Sequence, residues 1–189
     1  MWVIIIYIFI SFITDFLILR LPWYDGQIVI VTFTVLEFLF FSYFIYLNLK
    51  SPVLRRLIFW TSITFIVLPV IFYLTRGNLN FQSLIFSIEN IIIIPFCVLY
   101  FYEQINKPDT YFIYLSKSFW IILGIIIYMT GTLFVFIYID SLPPEEQDKY
   151  WVINLVFNTV KNILFAIGIC IKKPKEQLNP YLGPDPGTG

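Results

Sequence analysis

Four charged side chains stand inside long apolar runs: Asp15, Glu37, Glu89 and Lys161. Carboxylates and an ammonium in such surroundings can bind a small ion, relay a proton, or pair with one another. The run around Lys161 says most. Trp151, Asn154, Asn158, Lys161 and Phe165 recur at spacings of three and four, which on a helix makes one stripe, with Asn162 on its shoulder. Amides and an ammonium along one stripe cannot face lipid, so the stripe is expected to face inward, with Glu37 and Glu89 as counter-charges. Thr34 precedes Glu37 by three residues and Asn90 adjoins Glu89. The expectation is one ligand- or ion-binding cluster linking the second, fourth and sixth apolar runs, with its acids and amine buried together and Asp15 at its outer rim. The plainer alternative is a closed Glu–Lys pair that fixes helix register, with the Asn residues as packing glue at about 0.6 kcal/mol per hydrogen bond.

Other chemistry is missing from the chain. There is no His, the commonest general base and transition-metal ligand. Cys97 and Cys170 both lie in apolar runs, which argues against a disulfide framework or a thiolate metal site. No Gly-rich phosphate loop, nucleophile elbow or paired-Asp motif occurs. The 12 Lys and Arg balance 12 Asp and Glu without a basic block, which argues against a nucleic-acid partner. The expectation is therefore a protein that is not an enzyme and takes no cofactor or metal.

The elements that must hold these residues follow from composition. The chain is 59% hydrophobic, 21% aromatic and 13% charged, with a mean hydropathy of +0.84. About 20 apolar residues cross a bilayer as a helix. Six stretches suit that length, near Trp2 to Leu19, Ile28 to Leu49, Leu57 to Leu74, Ser83 to Tyr102, Phe119 to Ile139 and Trp151 to Ile171. Residues 1–19 lack the basic start and small-residue cleavage site of a secretory signal, so they read as a span. The connectors carry Pro22 and Gly26, Ser51-Pro52, Arg76-Gly77-Asn78, Lys107-Pro108-Asp109 and Pro143-Pro144. The fold class expected is an all-α polytopic membrane bundle, with a six-helix domain over 1–173 and a Pro/Gly-rich tail over 174–189.

Cations set the orientation. Lys50, Arg55, Arg56, Lys107, Lys117, Lys172, Lys173 and Lys175 fall on one side, and only Arg20, Arg76 and Lys149 on the other. Positive residues stay inside, so both termini are expected in the cytoplasm and the acidic connector with Asp140, Glu145, Glu146 and Asp148 outside. Counted from the outer end, Glu37 then lies about nine residues deep, Glu89 about six and Lys161 about ten, all above the midplane. Pro69 and Pro95 are expected to kink the third and fourth helices. Gly124, Tyr128 and Gly131 share a face of the fifth and suit close helix packing.

The segments "VLEFLFFSYFIYLNL" (Val35 to Leu49), "SIENIIIIPFCVLYFYEQI" (Ser87 to Ile105), "FWIILGIIIYMTGTLFVFI" (Phe119 to Ile137) and "WVINLVFNTVKNILFAIGI" (Trp151 to Ile169) carry a resemblance. They resemble a family of small, uncharacterised integral membrane proteins of Bacteroidota, with six to seven helices. Its marks are a Tyr-rich helix with Glu-Phe, a Phe-Trp followed by Gly, Tyr and Gly, and a last helix that opens on Trp and is studded with Asn. The resemblance runs from about Ile28 to Lys173, and the chain opens in what looks like the family's second helix, with Asp15 where an acid is common. Its genes often lie near two-component signalling genes. The resemblance implies a bacterial inner (cytoplasmic) membrane location and a sensory role.

Three functions follow as expectations. The first is a receptor-like sensory module whose outward-facing pocket, between the second, fourth and sixth helices, binds a small ligand or ion while basic inner loops meet a cytoplasmic signalling partner. The second is a small proton-coupled transporter working through Glu37 and Glu89. The third is a structural subunit of a larger membrane assembly.

Overall fold

The computed structural model describes residues 1–18, 20, 23–76, 82–106, 113–138 and 143–171. The helices are α1 (Trp2–Ile18), α2 (Trp23–Asn48), α3 (Pro52–Arg76), α4 (Gln82–Ile105), α5 (Lys117–Tyr138) and α6 (Pro144–Cys170), with one 3-10 turn at Ile113–Leu115. Among the described residues there is no strand. The tail expected over 174–189 lies outside them.

Five segments are long and apolar enough to cross a membrane: Ile28–Asn48, Pro52–Phe72, Gln82–Ile105, Lys117–Ile137 and Val152–Cys170. At 17 residues, α1 reaches only about 26 Å against a hydrocarbon core of about 30 Å. Three helices begin well before the expected starts: α2, α3 and α6. Proline is the reason in the last two. Pro52 and Pro144 read as connector punctuation, yet each takes the first helical position, where its missing N–H costs nothing and its fixed φ suits the helix. Inside helices the prolines do not end the element: α3 runs on through Pro69 and α4 through Pro95.

The surface is inverted relative to a protein built for water. Phe12, Trp60, Leu74 and Phe134 are each more than 60% exposed, an apolar exterior that suits lipid. Inward, α2 packs on α1, α3, α4 and α5, while α5 joins α4 to α6. The transmembrane windows of α2 and α5 are 44% and 50% buried, against 17% for α3 and α6, so α2 and α5 form the middle of the bundle. Phe38 of α2 stacks on Phe65 of α3 at 4.0 Å, and Phe165 of α6 meets Tyr7 of α1 and Phe41 of α2 edge to face, the latter two rings tilted against each other.

Two features set the register. Near the end of α4, Glu103 accepts the backbone N–H groups of Lys50 and Ser51 at 2.8 and 3.1 Å, capping the start of α3. This holds the ends of α2 and α4 together, so the two helices run parallel with an offset of about 52 residues. Along α5, a β-carbon at Gly124 would sit 3.2 Å from the Lys161 carbonyl of α6, and one at Gly131 would enter the Phe157 ring. The glycines thus let α6 lie directly on α5, as their shared face suggested.

Candidate buried charge cluster

Each site residue sits where its helix has a buried stripe. On α2 the stripe is Val31, Thr34, Glu37 with Phe38, then Phe41 with Ser42 and Ile45; on α4 it is Ser83, Ile85, Glu89 with Asn90, Ile93 and Cys97. On α6, Lys161, Phe165 and Gly168 turn inward. On α1, Ile4, Tyr7 and Thr14 do the same.

These stripes meet around Lys161, whose side chain is 1% exposed. Its Nζ donates to the Tyr7 hydroxyl at 2.5 Å and lies 3.4 Å from Glu37 Oε1. The Tyr7 hydroxyl in turn donates to the same Glu37 oxygen at 2.5 Å. Below the ammonium lies the Tyr128 ring of α5, 4.0 Å from Nζ to its centroid, with the Tyr7 and Phe41 rings at 5.0 and 5.7 Å. Removing both charges from water is costly, and the pair is offset here by charge-assisted hydrogen bonds and aromatic faces. Four helices contribute, α1, α2, α5 and α6, and the cluster ties α1 to α6.

Of the three acids expected to be buried with the amine, Glu37 and Glu89 are. Glu89 is 1% exposed, within electrostatic reach of Glu37 and Lys161, and its Oε1 has no hydrogen-bond partner among the described residues. Asp15 is exposed. It lies one residue past buried Thr14, and a step of about 100° carries it off the Ile4–Tyr7–Thr14 face. It does not enter the buried cluster, although its charge still acts on Lys161.

The uncharged residues divide. Thr34 turns back to the Ile30 carbonyl of its own helix at 2.9 Å rather than to Glu37, as short hydroxyl side chains readily do. Asn90 reaches α5, its amide 3.5 Å from Thr132 Oγ1. Asn154 and Asn158 are half-buried, and Asn154 Oδ1 has no partner among the described residues. Asn162 is exposed, and the Trp151 side chain lies outside the described residues.

Two participants were missed. Tyr7 was passed over although it is the single phenol in the first apolar run, and that isolation was the available signal. Tyr128 was read as packing, where its ring in fact supports the ammonium. A separate groove of about 620 Å³ opens between Lys50, Ser51, Leu54, Leu99, Tyr102 and Glu103. It lies 13 residues along α2 from Glu37, or about 20 Å away. The geometry therefore defines a class: an all-helical protein compatible with multi-pass membrane insertion, with a packed, hydrogen-bonded charge cluster inside. No protein family, no curated protein and no solved structure matches this chain.

Proposed function

We propose that this chain is a receptor-like sensory module of a bacterial inner membrane, both termini in the cytoplasm, in which the buried charge cluster sets the arrangement of the helices. The observation that carries this reading is the Lys161–Tyr7–Glu37 network, which joins α1, α2 and α6 inside a mainly apolar bundle. An apolar core would hold the bundle at lower cost than buried charge, so charge retained there fits a part that changes state. The network joins helices distant in sequence, so a change in it moves α1 and α6 together. The resemblance to Bacteroidota membrane proteins encoded near signalling genes agrees with this reading. So do the cations gathered on one side, which suit a cytoplasmic signalling partner.

The test is to isolate the full chain from membranes under mild detergent, with and without Lys161→Met, and to identify what comes with it. A kinase or response regulator that accompanies the wild type and is lost from a folded variant supports the module. A clean monomer without such a partner removes the reading.

One observation favours proton-coupled transport instead: ammonium, phenol and carboxylate form a continuous donor-to-acceptor chain of the kind that passes protons. Proton uptake into liposomes that disappears in Glu37→Gln would put transport first.

A further inference from the structure

We propose that Glu89 is a proton-binding site, a buried acid carrying an exchangeable proton beside the Glu37–Lys161 pair, and that loss of this proton is the stimulus that loosens α1. The second half rests on the sensory reading above; the first half stands without it.

Charge counting comes first. Glu37, Glu89 and Lys161 are each no more than 2% exposed, so two carboxylates share one ammonium. Lys161 is already engaged with Tyr7, Glu37 and the Tyr128 ring. Glu89 Oε1 is left without a hydrogen-bond partner among the described residues. An ionised carboxylate with one oxygen left unpartnered in this setting would be very costly, and one proton removes the charge.

Among the described residues, the surroundings of Glu89 offer no other neutraliser. From α2 it is within electrostatic reach of the like charge of Glu37, from α6 of the engaged ammonium of Lys161, and from α1 and α5 of the phenols of Tyr7 and Tyr128. Residues 57–72 of α3 contain no titratable side chain. A metal cation would need several oxygen ligands, and among the described residues no three His, Cys, Asp or Glu side chains gather in a way that could hold one. The ion that fits is the proton, taken from water as an O–H bond forms on Glu89 and returned to water when it breaks.

Losing that proton changes what Lys161 experiences. The ammonium then has two carboxylate acceptors at one depth, and a move toward Glu89 draws Nζ away from the Tyr7 hydroxyl. That hydroxyl is the polar tie between α1 and the rest of the bundle.

Infrared difference spectroscopy of the full chain in lipid nanodiscs, scanned over pH, tests the site. A protonated-carboxyl carbonyl band that titrates in the wild type should be lost in Glu89→Gln, kept in Asp15→Asn, and unchanged when Na⁺ is added at fixed pH. Glu89→Asp keeps the acid and should shift the band without losing it, which serves if the Gln variant does not fold. A band that survives in Glu89→Gln, a wild type with no such band, or displacement of the band by Na⁺ overturns the site. Hydrogen exchange of α1 over the same pH range tests the second half: it should quicken as the band fades, and in Glu89→Gln it should not respond. A titrating band with unresponsive α1 exchange overturns the stimulus and leaves the site. Absence of a signalling partner overturns the sensory reading without touching the band.

Discussion

Glu37 and Glu89 make an internal comparison. The offset of about 52 residues that brings Glu103 to Lys50 and Ser51 also places Glu89 level with Glu37 on the neighbouring parallel helix. They are equally buried, at 2% and 1% exposed. One oxygen of Glu37 receives both a phenol and an ammonium, whereas one oxygen of Glu89 receives nothing from the described residues. Burial alone therefore does not define the role of a carboxylate inside a helical bundle. What separates the two is which neighbouring helix approaches. The glycine seam of α5 brings α6 close enough for Lys161 to reach Glu37, while on the Glu89 side the Thr132 hydroxyl of α5 is met by Asn90 and not by the carboxylate oxygen left without a partner among the described residues.

The largest effects should come from breaking the satisfied side. Lys161→Met leaves Glu37 buried without its ammonium, and loss of one partner of a buried pair costs about 3 to 5 kcal/mol. Thermal unfolding in detergent should show it as a large drop in Tm. Glu37→Gln should fall by a similar amount, and the double variant should regain much of the loss, because no uncompensated charge is left. Losses that simply add would mean that the two groups are not coupled.

Tyr7→Phe comes next. It keeps the ring that packs against Phe41 and Phe165 and removes only the hydroxyl that bridges ammonium and carboxylate. Hydrogen bonds to charged groups contribute about 1.5 to 3 kcal/mol, and the loss should fall in that range. Hydrogen exchange should locate it in α1, since that is the helix the hydroxyl ties in. A uniform change across all helices would count against the bridge.

How much of this was legible in the sequence follows from the cost of each group. Lys161 and Glu37 could be read as partners because charges inside apolar stripes have few places to go. Tyr7 is harder to read: its isolation as the single phenol of the first apolar run is a signal, but a weak one, since phenols in membrane helices usually mark the interface and need no partner within the bundle. Thr34 and Asn90 were assigned to the cluster by adjacency, but small polar side chains have alternatives: Thr34 found its own helix and Asn90 found α5. Helix class was written in the apolar runs. The helix starts at Pro52 and Pro144 were hidden because proline punctuates connectors and also begins helices.

A smaller effect should come from the seam that decides which acid meets Lys161. Gly131→Ala places a methyl group in the Phe157 ring, and overpacking of this kind costs about 1 to 3 kcal/mol. It should separate α6 from α5 and weaken the contact of Lys161 with Tyr128 while leaving Asn90 and Thr132 in place. Tyrosine fluorescence should report the change at Tyr128, and a compensating Phe157→Leu should restore it. Failure of the second substitution to help would place the strain somewhere other than the seam.

Glu89→Gln should have the smallest effect on stability, and it sharpens the comparison most. The amide has nearly the shape of the acid and carries no charge, so where Glu89 is already neutral the exchange replaces one neutral polar group by another. At acid pH, where Glu89 is neutral in both the folded and the unfolded chain, a difference below about 1 kcal/mol is expected, a fraction of that for Glu37→Gln at neutral pH. Stability should also respond differently to pH. The wild type should weaken as pH rises above the range where a free carboxyl titrates, because the unfolded chain sheds the proton that folded Glu89 keeps, and the loss should level off once folded Glu89 gives it up; the Gln variant should show no such loss. A Glu89→Gln protein as damaged as Glu37→Gln would mean that Glu89 is ionised and holds a share of Lys161, and the two acids would then be one site.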